Sequence, residues 1–335
     1  MRTEVSITID TEFSIAGAFD DPENRQPIGE EQVLCRVAGR EQGLGFLLDT
    51  FQRHGIAATF FVEALNTAYF GDQPMGGIVQ RILEAGQDAQ LHIHPCWDAF
   101  RDEDWAERVR REAPSDRCDG RRVEELEQLI GLGLAAFERW GAPRPVALRT
   151  GNLRADRAVY QAMARQDLRL ASNLGVAYQP PDDPSLDLAG GRHWIDGVLE
   201  LPILSYTQLA MGGRRWRRML AITASSWREI ESLLWQARAA GISPVVVITH
   251  PFEFIKGPRG EADKRQPNRI NQARLERLCR FIAAHPEDFT SASFGAAGPA
   301  WLEAAPQDQP DFSAPLLPVL ARMVQNKAND LIPAL

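Results

Sequence analysis

The sequence predicts an α/β protein built on a parallel sheet, either doubly wound or closed into a barrel. Three observations predict it. Segments of two-residue and of helical hydrophobic periodicity alternate along most of the chain. The stretch "PVVVITHP" (244–251) is a continuous apolar run, as expected of a strand covered by helices on both faces. Four strand-like segments also end, in the same sense, in side chains able to do chemistry: Asp10, His92, Arg149 and His250. In a parallel sheet such ends gather at one face.

Taken in order, "EVSITIDTE" (4–12) alternates as a strand does, and "REQGLGFLLDTFQRHG" (40–55) has helical spacing and stops at Gly55. "IAATFFVEA" (56–64) is rich in β-formers, "GGIVQRILEAG" (76–86) is a helix ending at Gly86, and "AQLHIHP" (89–95) is a strand ending at Pro95. A helix over 121–141, a strand "PVALRTG" (145–151), a helix over 154–166 and strands "RLASNLG" (169–175) and "VLELPILSY" (198–206) come next. The helix "SWREIESLLWQARAAG" (226–241) feeds the apolar strand, and a helix over 271–285 and a short strand "FTSASF" (289–294) close the series. Residues 13–39 and 66–75 are loops after strand ends, where α/β proteins build sites. We read 1–303 as one catalytic domain and 304–335 as a tail, whose "APLLPVLARMVQNKANDLI" (314–332) predicts a helix packed on the body, with contact to a partner or a membrane surface as the second reading.

Composition narrows the function. A net charge of −8 over 335 residues argues against nucleic acid as the main partner and against a membrane held by basic patches, though not against a local basic pocket. The four cysteines are too scattered for a CxxC zinc site or a disulfide framework. No apolar stretch reads as a signal peptide or is long enough to cross a bilayer, so a cytoplasmic protein without a transmembrane segment is expected.

"TIDTE" sets Asp10 and Glu12 on one face of a strand end, where two like charges repel unless a cation lies between them or one is protonated. "LHIHP" repeats the arrangement with His92 and His94. A carboxylate with two neutral imidazoles is a common ligand set for a catalytic zinc-like ion. Each part has a plainer alternative: a solvated strand end for the acidic pair, a surface ion pair for Arg149, a satisfied half-buried side chain for His250. Together they supply an acid, metal ligands, an arginine to tune the acid and a second protonatable group. Trp97 is either a loop anchor or a wall on which a sugar stacks.

In order and over about residues 4–295, these motifs resemble the polysaccharide deacetylases with the NodB homology domain, carbohydrate esterase family 4. "ITIDTE" looks like the first motif, "AATFFV" like the strand after the first helix, and "GQDAQLHIHP", "LRTGN" and "VVVITHP" like the histidine, arginine and last histidine motifs. The DxE first motif and HxHPxW-like second one are most similar to a branch seen in lipopolysaccharide and O-antigen biosynthesis. The resemblance implies an irregular (β/α)7 barrel. It implies Asp10 as the general base toward water, Glu12 and His92 as metal ligands, Arg149 as the residue that tunes Asp10, and His250 as the acid toward the leaving amine.

This chain departs from the family pattern in three places. Thr11 separates the two acids, which are usually adjacent. Position 96, where a second histidine would be expected, is Cys96, so His94 is the preferred third ligand, with Cys96 thiolate or water as alternatives. The element that usually orients the acid histidine is not legible; Asp196 and Glu200 are weak stand-ins.

The expected function is therefore a metal-dependent hydrolase, with zinc or else cobalt, nickel or manganese, that removes an N-acyl group from an amino sugar. The substrate would be nucleotide-linked, lipid-linked or part of a glycan, in surface-glycan assembly. Hydrolysis of another carbon–nitrogen amide and a non-catalytic sugar-binding role are the alternatives. A glycosidase would need carboxylates flanking a bond, whereas Asp10 and Glu12 share one strand.

Overall fold

A computed structural model describes residues 2–257 and 264–331. The principal strands in chain order are β1 (Thr3–Thr11), β2 (Ala58–Glu63), β3 (Asp88–Ile93), β4 (Ala147–Thr150), β5 (Leu170–Ala171), β6 (Gly191–Ile195) and β7 (Val198–Glu200). They continue with β8 (Ser205–Met211), β9 (Arg214–Met219), β10 (Val245–Thr249), β11 (Phe289–Ser291) and β12 (Gln307–Asp308). The principal helices are α1 (Leu44–His54), α2 (Gln73–Glu84), α3 (Val123–Arg139), α4 (Arg157–Arg165), α5 (Trp227–Ala240), α6 (Arg269–Ala284), α7 (Phe294–Glu303) and α8 (Leu316–Leu331).

Seven strands pair in parallel in the order β10-β1-β2-β3-β4-β5-β7. The chain leaving β7 then returns to the first of them: Ile203 bridges Val246 in parallel, and Leu204 N donates to Val246 O at 3.1 Å. The sheet thereby curls into an irregular seven-stranded α/β barrel, the fold that the family resemblance implied. β6 and β12 extend the sheet antiparallel beyond β7, and β11 pairs the start of β1.

Strand side chains divide between two environments, as a period of two requires. Phe61, Ala147, Leu170, Leu199, Leu201, Ile203, Val246 and Ile248 form one buried cluster, joined by Phe294 and Trp301 of α7. Val5, Ile7, Ile9, Phe60, Val62, Leu91, Leu148 and Val247 face the surrounding helices in a larger one. α7 caps the end of the barrel at which the strands start: Trp301 Nε1 donates to Glu4 at 2.7 Å and Gly295 N to Asp88 at 2.8 Å. The other end, where the strands finish, is left to the site.

Predicted and observed elements differ mainly between 169 and 219. The strand expected over 169–175 pairs only at Leu170–Ala171, and the one expected over 198–206 splits after Glu200. Residues 205–219 form a hairpin, β8-β9, turned by Gly212 and Gly213, both at positive φ. Two such residues suit the tight turn that matches strand twist. In the tail, α8 seats Val319 and Arg322 inward, and Arg322 Nε pairs with the buried Glu229 of α5 at 2.9 Å. Residues 332–335 of the tail lie outside the described residues.

Candidate active site

The ends of β1, β3, β4 and β10 bring six polar side chains into one region. Asp10, the penultimate residue of β1, is almost fully buried, so its charge needs a partner. Arg149, the third residue of β4, supplies it: Nη1 donates to Asp10 Oδ1 at 2.6 Å. The guanidinium is wholly buried and otherwise satisfied, donating to Thr8 Oγ1 at 2.9 Å, Ser172 O at 3.0 Å and Ser172 Oγ at 2.8 Å. Its plane lies over the Phe61 ring, 4.2 Å from the centroid. A guanidinium fixed from so many sides pins one Asp10 oxygen and leaves the other facing the cavity.

Glu12, His92 and His94 meet beside it. His94 Nε2 lies 2.7 Å and His92 Nε2 3.5 Å from Glu12 Oε2, and the three ligand atoms are all within 4.8 Å of one another. The far nitrogen of each ring is held: His92 Nδ1 bonds Arg149 O at 2.9 Å, and His94 Nδ1 bonds Asp116 Oδ2 at 2.7 Å. With a proton on Nδ1, each ring aims its Nε2 lone pair at Glu12, the arrangement that second-sphere carbonyls and carboxylates impose on metal-binding histidines. Gly151 makes room for it, since a Cβ there would lie 2.5 Å from His94 Nδ1. The residues present therefore fit a divalent ion.

Glu12 and His94 are also an ion pair, 2.7 Å apart. Burial opposes charge on both groups, but Glu12 and Asp116 lift His94 well above the usual imidazole range, while His94 and His92 hold Glu12 well below the usual carboxylate range. A metal would have to displace that proton.

His250, just past β10, completes the cluster. Its Nε2 is 3.8 Å from Asp10 Oδ2 and its Nδ1 is 3.1 Å from Glu253 Oε1. Burial pulls its pKa down, but Glu253, with Asp10 and Glu12, outweighs that and raises it to about 9. Glu253 is itself fixed by Thr249 Oγ1 at 2.6 Å and His250 N at 3.1 Å. Asp10, Glu12, His92, His94, His250 and Glu253 all line one cavity of about 330 Å³, whose remaining wall includes Tyr178, Met219 and Ala224. A larger groove of about 590 Å³ past Pro95, Asp98 and Arg108 contains none of them.

Two sequence expectations change, and one alternative stays open. Trp97 is 1% exposed and packs its indole against Phe70 and Phe100, with centroids 5.9 and 5.4 Å away, so it has no free face for a sugar. The loop-anchor reading stands: Trp97→Ala should cost about 3–5 kcal/mol of stability, as aromatic-to-alanine changes in cores do, measured by denaturant unfolding. The exposed aromatic on the cavity is Tyr178. Neither weak stand-in reaches His250. Glu200 is buried under Tyr160 Oη and the Asn173 and Leu174 N–H groups, and Asp196 pairs with Arg157. Cys96 keeps its alternative: burial, then Asp116, raises its thiol well above the usual range, but its Sγ lies within 4.8 Å of ligand atoms of His94 and Asp116, a second group of three able to hold an ion.

Comparison with known proteins bears on the fold. No family model matches the chain, and no curated protein matches it. A Mycobacterium smegmatis chain provisionally described as a polysaccharide deacetylase superposes with a TM-score of 0.50 at 14% identity, over 93% of this chain and 96% of its own. A family 4 carbohydrate esterase from Streptomyces lividans, solved with acetate, aligns over 87% of this chain and 92% of its own at TM-score 0.42 and 11% identity. A Bacillus subtilis peptidoglycan deacetylase aligns over 98% and 96%, at TM-score 0.37 and 11% identity. At these identities the likeness concerns the barrel. The Mycobacterium smegmatis structure carries it.

Proposed function

We propose that this chain is a metal-dependent hydrolase that removes an N-acyl group, acetyl in the simplest case, from an amino sugar. The observation that carries the reading is the convergence on one cavity of a metal-fitting triad, Glu12, His92 and His94, with a separate acid–base pair, Asp10 and His250. A binding protein has no use for the second set. An amide is unreactive, so its hydrolysis needs a polarised carbonyl, an activated water and a proton for nitrogen.

A divalent ion held by Glu12, His92 and His94, zinc or else cobalt, nickel or manganese, would supply the Lewis acidity. The free Asp10 oxygen takes the proton from the attacking water while Arg149 keeps the carboxylate in place. His250 gives a proton to the leaving amine, and the Glu253 carboxylate beside Nδ1 favours the protonated ring it starts from. A cavity of about 330 Å³ lies in the range of small-molecule sites, which suits a single sugar residue entering from the rim. The DxE and HxHPxW-like motifs support an acylated intermediate of surface-glycan assembly inside the cell, nucleotide- or lipid-linked, as substrate.

The metal comes first. Protein stripped by a chelator and titrated with zinc should bind one equivalent, and Glu12→Ala or His92→Ala should abolish that site. Zinc retained in both variants would place the ion elsewhere. Metal-loaded protein incubated with N-acylated sugar nucleotides, lipid-linked sugars and oligosaccharides should lose an acyl mass from one class by mass spectrometry. Sugar binding without turnover would favour the non-catalytic alternative, and turnover of non-sugar amides alone would favour another amide hydrolase.

A further inference from the structure

One surface outside the cavity is unusual for a chain of net charge −8. Below α8 the buried contacts are Val319 and Arg322, yet its outward side carries Leu316, Leu317, Leu320, Met323 and Val324, 48–79% exposed. At 100° per residue these cover a stripe of roughly 120°, with Lys327 on the same side one turn beyond Met323. The β8-β9 hairpin lies against this helix: Thr207 N donates to Phe312 O at 2.8 Å, Ala314 N to Thr207 O at 3.0 Å, and Arg322 Nη2 to Gln208 Oε1 at 2.7 Å. Register puts Leu209, Met211, Arg214 and Trp216 on one face of the hairpin, all exposed. The sequence "RRWRR" (214–218) adds three further arginines, of which Arg215 pairs with Asp311, Arg217 with Asp187, and Arg218 turns inward to Gln208. Arg214 and Lys327 make no ion pair among the described residues.

We propose that this face docks the protein on an anionic lipid bilayer. Charge complementarity selects the occupant. The exposed apolar residues are interleaved with Arg214 and Lys327, and among the described residues no acidic side chain lies on the apolar stripe of α8 or on the Leu209–Trp216 face of the hairpin. An amphipathic helix with apolar residues on one side and neighbouring cations is the pattern that lies in a membrane interface, where anionic headgroups meet the guanidinium and ammonium groups. A two-fold contact through the hairpin would instead set one arginine cluster against another.

The surface is also tied to the cavity. β9 runs from the arginines to Met219, which lines the cavity, and Arg218 Nη1 donates to the carbonyl of Ala224, another lining residue, at 3.3 Å. One strand thus joins the proposed docking face to the cavity wall. On the function proposed above, and resting on it, the acylated sugar is one carried on a lipid.

The test is co-sedimentation of the full chain with sucrose-loaded vesicles of phosphatidylcholine alone or with phosphatidylglycerol added. The parent should pellet with the anionic vesicles and be released by added salt. Leu317→Glu with Val324→Glu should lower partition at least about tenfold, and Arg214→Gln about fivefold, since each basic residue near an anionic surface contributes a factor of that order. These positions are exposed, so unchanged circular dichroism and melting are expected, as is unchanged turnover of a water-soluble substrate. Failure of the parent to bind anionic vesicles, or full binding by the double variant, overturns the proposal. So does sedimentation velocity showing a parent dimer that the double variant splits while neither binds vesicles, which assigns the face to a second copy. Vesicle binding without deacylation of any sugar leaves this surface standing and removes the proposed reaction; deacylation without vesicle binding does the reverse.

Discussion

Asp10→Asn should keep the metal and lower turnover by ~10²–10⁴-fold, the loss typical when a general base is removed. Asp10 belongs to neither group of three side chains whose ligand atoms lie within reach of a single ion, so zinc content should match the parent's. Glu12→Ala and His92→Ala should lose both metal and turnover, because each removes a ligand. The contrast separates base from ligand more cleanly than activity alone. The asparagine keeps an oxygen for Arg149 Nη1, now 2.6 Å from Asp10, but no longer offsets the buried guanidinium charge. Breaking a buried pair by removing one partner costs on the order of 3–5 kcal/mol, so some loss of stability is expected beside the loss of rate. Kinetics should therefore be taken well below the variant's melting temperature. Near-parent turnover in folded, zinc-replete Asp10→Asn would remove Asp10 from the reaction.

That experiment is possible because strand ends are the part of this site written locally in the sequence. Asp10 and Glu12, or His92 and His94, declare a shared face by being two apart, and the direction of a parallel sheet brings separate strands' ends together. The turn leaving each strand is not written that way. After His94 the chain turns into a 3₁₀ helix, Pro95–Arg101, which rolls Trp97 under Phe70 and Phe100, so an aromatic next to the metal motif ends in the core. After His250 a second such turn, Pro251–Phe254, brings Glu253 back onto the ring three residues upstream. A carboxylate three positions after a strand-end histidine, with proline between, was a readable sign of that return. Asp116 had no comparable sign, because it reaches His94 from an irregular loop 22 residues away. The β8-β9 hairpin did have one, in Gly212-Gly213, but its "RRWRR" arm lacks the alternation by which strands are recognised.

The Glu253 contact leads to the other large expected effect. Collapse of a tetrahedral intermediate from an amide must deliver a proton to nitrogen, since an amine anion leaves poorly. His250→Ala should therefore leave zinc content and sugar affinity nearly intact while amide turnover falls by ~10²–10⁴-fold. An activated ester, whose leaving group needs little help, should lose far less. Glu253→Gln tests the support of that acid. It retains a group able to bond Nδ1 but removes the charge that, after burial, does most to set the ring's pKa at about 9. The folded-state pKa of His250 should then fall, and the alkaline limb of the amide pH–rate profile should move to lower pH, with a smaller loss at the optimum than in His250→Ala. Ester turnover should change little in both variants. Equal losses on amide and ester in His250→Ala would make the imidazole a structural or substrate-binding group, and an unmoved alkaline limb in Glu253→Gln would detach Glu253 from the acid.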